Sequence, residues 1–125
     1  MSAAADMNME LVKQNGNYLV FVKEQTPEIC LAAVEENGCA LLYVKEQTPE
    51  ICLAAVKQFE YALQYVKEQT PEICLAAVKI DGFALKYVKQ QSEEICLAAV
   101  EQNGDASDYV RVTYSSDKYS ENAKQ

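Results

Sequence analysis

Shifted by 22 residues, the sequence falls on itself. Val22 to Val34 (Val-Lys-Glu-Gln-Thr-Pro-Glu-Ile-Cys-Leu-Ala-Ala-Val) recurs unchanged at Val44 to Val56 and at Val66 to Val78. A fourth copy, Val88 to Val100, departs at Gln90, Ser92 and Glu93. Upstream, Leu11 to Gly16 aligns with the end of the unit, which puts Met7 and Met9 in the slots of Ile29 and Leu31. Gly16, Gly38, Gly82 and Gly104 share one register and Pro27, Pro49 and Pro71 another. A unit this short cannot enclose a core by itself, so copies must stack and bury apolar surface against their neighbours.

Helix rules give the unit its shape. Thr26 offers an N-cap hydroxyl, Pro27 suits the first helical position, where its missing N–H costs nothing, and Glu28 favours the positive helix end. Ile29 with Ala33, and Cys30 with Val34, lie four apart on one face, so a helix is predicted over Pro27 to Glu36, closed at Asn37-Gly38 by a left-handed residue. The segment Cys39 to Gln47 places Ala40, Leu41 and Val44 on one stripe before Thr48-Pro49 begins the next cycle. Strands are the poorer reading, because the apolar spacing is four rather than two. The expected fold is all-α: a solenoid of five stacked helical hairpins, about ten short antiparallel helices. Helices of roughly ten residues are marginal alone, so stacking must supply the stability. The divisions are an N-terminal extension over 1–6, one repeat domain over 7–112 (units near 7–25, 26–47, 48–69, 70–91 and 92–112), and a polar tail over 113–125, read as disordered. Asp105, Ser107 and Asp108 suit the last unit to a capping role.

Charge narrows the partners. Eleven basic and 19 acidic residues leave a formal charge of -8. With no basic cluster to reverse it locally, neither nucleic acid nor an anionic membrane is an expected ligand. The start of the chain lacks signal-peptide character, and the recurrent run Ile-Cys-Leu-Ala-Ala-Val is far too short to span a bilayer. An intracellular, non-secreted protein is the expectation.

Cys30, Cys52, Cys74 and Cys96 raise the question of a metal or a disulfide. Equivalent helices on successive units are expected about 8 to 10 Å apart, whereas a disulfide needs Cα atoms within about 7 Å and a zinc needs sulfurs about 2.3 Å from one ion. They are read as small core residues, with Cys39 the more exposed thiol. No cofactor or metal is expected. The chain has no histidine, its threonines and glutamates have helix-end duties, and Glu28, Glu50, Glu72 and Glu94 recur as a solvated ladder; no catalytic residue is assigned and no enzyme is expected. Lys23, Lys45, Lys67 and Lys89 form a comparable surface row.

Variation gathers at the turns. Residues 13–17 read Lys-Gln-Asn-Gly-Asn, 35–39 Glu-Glu-Asn-Gly-Cys, 57–61 Lys-Gln-Phe-Glu-Tyr, 79–83 Lys-Ile-Asp-Gly-Phe and 101–105 Glu-Gln-Asn-Gly-Asp. Phe59, Glu60, Tyr61, Ile80 and Phe83 are therefore the candidate protein-binding residues: an apolar and aromatic patch on the central units, bounded by polar residues. The alternative is neutral drift, with Tyr61 and Phe83 packing between helices. Glu60 in the glycine slot predicts a strained turn, since a left-handed non-glycine residue costs about 1 to 2 kcal/mol.

The unit at Ala40 to Val56 and Ala62 to Gly82 resembles a family of repeats of unknown function. That family is common in large DNA viruses of amoebae, of the marseillevirus and mimivirus kinds, and in some amoeba-infecting bacteria. The resemblance covers Val12 to Val110 and departs at Glu60 and at Glu93, which stands in a proline slot. It implies a viral protein of the virion-associated kind, acting in an amoebal host, and it carries no catalytic residues to transfer. The leading expectation is a non-enzymatic scaffold that engages a host or viral protein through the edge from Lys57 to Phe83. The rival is a structural or virion component that associates with copies of itself as a homo-oligomer.

Overall fold

The computed structural model describes residues 3–111. Ten helices follow one another, alternating between two kinds: α1 (Ala3–Gln14), η1 (Gly16–Phe21), α2 (Pro27–Glu36), η2 (Gly38–Tyr43), α3 (Pro49–Gln58), η3 (Glu60–Tyr65), α4 (Pro71–Ile80), η4 (Gly82–Tyr87), α5 (Glu93–Gln102) and η5 (Gly104–Tyr109). Each η element is a six-residue 3-10 helix. Each α helix and the η helix after it form one unit. Successive α helices pack together, as do successive η helices, so the five units build a two-layered stack. All-α repeats are what the sequence predicted, and the helix read over Pro27 to Glu36 has those bounds.

The core lies between the layers. From the α side come Ile29, Cys30, Ala33 and Val34 with their equivalents; from the η side come Ala40, Leu41 and Val44 with theirs. The α helices start as the motif dictates: Thr26, Thr48, Thr70 and Ser92 each accept a hydrogen bond at 3.2 Å from the N–H three residues on. Proline then fills the first helical position in α2, α3 and α4. Glu93 in the proline slot leaves that start intact, since Ser92 caps α5 in the same way.

Two expectations are corrected. First, no described residue adopts a positive φ, glycine or otherwise. Asn37 ends α2 in an extended conformation (φ -149, ψ 111) and at the same time caps η2, its side chain accepting from Cys39 N–H at 3.0 Å. The glycine is required instead by the neighbouring unit: a Cβ on Gly38 would lie 2.5 Å from the Ala55 carbonyl oxygen, and those on Gly16 and Gly82 would run into the carbonyls of Ala33 and Ala99. Glu60 is accordingly not held in a left-handed conformation, and the predicted strain is absent. Second, the helix read over Cys39 to Gln47 is a 3-10 helix that stops at Tyr43. Helix α1 begins at Ala3, inside the stretch named as the N-terminal extension, where Ala3-Ala4-Ala5 are good helix formers. The polar tail over 113–125 lies outside the described residues.

Candidate functional site

The turn edge is divided between two ring stacks. Phe59 ends α3 with no side-chain cap bond, and its ring meets Tyr61 edge to face at a centroid distance of 5.6 Å. Tyr61 in turn meets Tyr87 of the next unit at 5.6 Å and donates from its hydroxyl to Asp81 Oδ2 at 2.8 Å. That bond, and then partial burial and the charge of Asp81, push the Tyr61 hydroxyl up to about 12. Phe83 belongs to a separate stack, 5.7 Å from Tyr109 of the fifth unit. Phe59, Glu60, Tyr61 and Phe83 are half-buried, while Ile80, the last residue of α4, is 45 % exposed. The structure thus brings Phe59, Glu60 and Tyr61 together and uses the aromatic rings as packing between units, in keeping with the alternative weighed for Tyr61 and Phe83.

The changes at this edge are coupled. Elsewhere the glycine N–H donates across the junction to a side chain 20 residues on, Gly16 to Glu36, Gly38 to Gln58 and Gly82 to Gln102, each at 2.5 Å. At the third turn Glu60 replaces the glycine and Ile80 replaces the acceptor, and the Tyr61–Asp81 bond links the two units in their stead.

Exposed apolar side chains gather elsewhere, on the first two units. Phe21 is 74 % exposed, Leu42 56 %, Val20 52 % and Tyr18 38 %, with the Tyr18 and Phe21 rings 6.3 Å apart. Sequence reasoning missed this surface. The signal was present in the register of Val20 and Leu42, which continues as Gln64, Lys86 and Asp108 and so turns from apolar to polar along the stack.

A second missed feature is a glutamine ladder. Gln25, Gln47, Gln69 and Gln91 each donate from Nε2 to a carbonyl of the next unit (Tyr43, Tyr65, Tyr87 and Tyr109, at 2.8 to 2.9 Å). Each also accepts at Oε1 from the backbone N–H of residue 45, 67, 89 or 111, at 2.9 to 3.0 Å. The registered cysteines complete the motif: Cys30, Cys52, Cys74 and Cys96 donate from Sγ to the same glutamine oxygens at 3.4 to 3.6 Å. These four are buried and Cys39 is half-buried, as the register implied. Burial raises all four thiols, Cys74 to about 11, which opposes thiolate formation.

Shallow grooves recur where successive Lys-Glu-Gln-Thr-Pro loops meet, the first lined by Lys23, Gln25, Pro27, Cys30, Lys45 and Glu46. Their polar groups are largely committed to the ladder, and two of the lysines reach back to carbonyls, Lys45 Nζ to Lys23 O at 2.9 Å and Lys89 Nζ to Val66 O at 3.3 Å. Among the described residues no three His, Cys, Asp or Glu side chains are grouped to hold a metal ion, and no helix is long and apolar enough to cross a membrane.

A family model described as a domain of unknown function (DUF4116) matches residues 26–70, 48–91 and 70–113. The three matches step by one 22-residue unit, and each spans two units. No curated protein and no solved structure matches the chain.

Proposed function

The chain belongs to the DUF4116 family of domains of unknown function, and for it we propose a non-enzymatic role as a protein-interaction scaffold. One observation carries the reading: Tyr18, Val20, Phe21 and Leu42 stand exposed on units 1 and 2 of the stack, the kind of surface that a partner covers. The absence of histidine and the raised, hydrogen-bonded thiols support a role without catalysis. Ile80 adds a smaller apolar contact at the turn edge beside Phe59, Glu60, Tyr61 and Phe83.

The partner in this proposal is a host or viral protein met inside an infected cell. The resemblance of the repeat to those of amoeba-infecting viruses supports that setting, virion packaging included, and the net charge of -8 favours protein over nucleic acid or membrane. Affinity capture from infected host cells tests the reading. Val20→Ser with Leu42→Ser, both on exposed positions, should abolish recovery of the partner while the helical circular dichroism signal persists. Unchanged capture by this folded double variant would sink it.

A further inference from the structure

The two ends of the stack carry the two halves of an inter-unit junction. Within the stack the upstream unit presents a bare glycine and its N–H, together with loop carbonyls. The downstream unit presents a side-chain acceptor at Glu36, Gln58 or Gln102. It also sends a cation back across the junction: Lys45 Nζ to Lys23 O, Lys89 Nζ to Val66 O, and Arg111 Nη1 to Lys86 O.

At the N-terminal face, Gln14 occupies the acceptor register and Lys23 the cation register. That face is apolar. Met7, in the register of the 2 % exposed Ile29, is 67 % exposed, and Leu11, in the register of the fully buried Ala33, is 38 % exposed. At the other end, a Cβ on Gly104 would meet no described atom within 4 Å, whereas those of the three earlier glycines meet an alanine carbonyl. Val100 and Val110, whose equivalents are buried in the interior units, are half-uncovered.

We propose that copies of this chain stack end to end, the fifth unit of one on the first unit of the next, so that the 22-residue repeat continues across the chain boundary. The occupant of the N-terminal face is a second copy because the face continues the interface already used between units. The loose ends also match: Gly104 N–H donates to Gln14 of the next copy, Lys23 Nζ reaches the carbonyls of Val110 and Arg111, and Met7 and Leu11 cover Val100. The seam is weaker than an interior junction, because Ser107 holds the leucine register. A head-to-tail contact of this kind does not close on itself, so it produces linear chains.

Sedimentation velocity of the full chain tests this. Wild type should show a weight-average mass that climbs with concentration through a series of species. Leu11→Asp spoils the N-terminal face, and Met7→Asp does so at a still more exposed position should Leu11→Asp lose helical signal. Gly104→Leu spoils the other face, where no described atom lies within 4 Å of a Cβ. Each variant alone should remain monomeric, yet an N-face variant mixed with Gly104→Leu should form a one-to-one dimer that grows no further. The proposal is overturned by a monomeric wild type at every concentration, by Gly104→Leu dimerising alone, or by a mixture that stays monomeric. Val20→Ser with Leu42→Ser alters neither seam residue set and should self-associate as wild type does, so this test and the capture of a foreign partner fail independently.

Discussion

At the scale of single residues, the glycine register shows how one amino acid can be required for a reason that local sequence does not reveal. Asn-Gly after an amphipathic helix reads as a left-handed stop. Here the chain passes through Asn37 in extended conformation and enters a 3-10 helix directly, so φ demands nothing. What demands glycine is the Ala55 carbonyl 2.5 Å from where a Cβ would stand. The two explanations separate on substitution. Gly38→Ala should lower unfolding stability by about 1 to 3 kcal/mol, as overpacking does. Gly104→Ala, with a compatible φ and no described atom within 4 Å of the added Cβ, should hold or raise it by about 0.5 to 1 kcal/mol through the entropy of the unfolded chain. Urea titration of both variants is the check; equal losses at the two positions would restore the left-handed explanation. At the third turn Glu60 occupies this register. Its replacement of glycine comes with Ile80 in place of the acceptor, and the junction is tied by Tyr61 and Asp81 instead.

At the scale of elements, legibility followed the range of the interactions. The α helices were readable because their determinants are local: a hydroxyl cap, a proline and an i, i+4 apolar face, all within ten residues. The η helices were readable as helical but not as 3-10. Their six residues end where Val44 N–H bonds back to Leu41 O at 3.1 Å, and Gln47 then turns its amide to the next unit. The aromatic edge was legible as composition only, since nothing in the order of residues says that Tyr61 bonds Asp81 rather than facing solvent. That bond gives the junction between units 3 and 4 an alkaline signature. The hydroxyl is raised from 10.0 to about 12 in the folded state, so folding favours the protonated phenol. Its contribution is complete below pH 10 and is lost as pH climbs toward 12, because the unfolded chain gives up its proton first. The buried thiols, also raised, impose the same direction of change from about pH 9 upward in any variant that keeps them. Tyr61→Phe should therefore be less stable than wild type at neutral pH, and the gap should narrow between pH 10 and 12 in thermal melts. A gap constant across that range would show that the hydroxyl bond contributes nothing to the fold.

For the whole molecule, stability is a sum over units and junctions rather than a property of one central core. Among the described residues the buried side chains lie within the units and the seams between adjacent units, and the glutamine ladder ties each unit to the next. In such a one-dimensional array the end units lack one neighbour each, so adding an interior unit adds one unit and one complete junction without creating a new end. The intrinsic free energy of a lone hairpin this short is unfavourable, and the favourable part lies in the seam. Inserting a second copy of residues 26–47 after Gln47 preserves every local motif and sets Gly38 opposite a second Glu36, since Thr48-Pro49 resumes the register at the cut. If seams outweigh the cost of ordering a unit, the six-unit chain should unfold at a higher urea concentration and with a steeper denaturant dependence, because more surface is exposed in one cooperative step. The glutamine ladder should carry part of that gain: the same insertion with Ala in place of its Gln47-equivalent should recover less of the increase in midpoint. An insertion that leaves the midpoint unchanged, or splits the transition in two, would mean that the units fold nearly independently and that the stack is not the cooperative object its junctions describe.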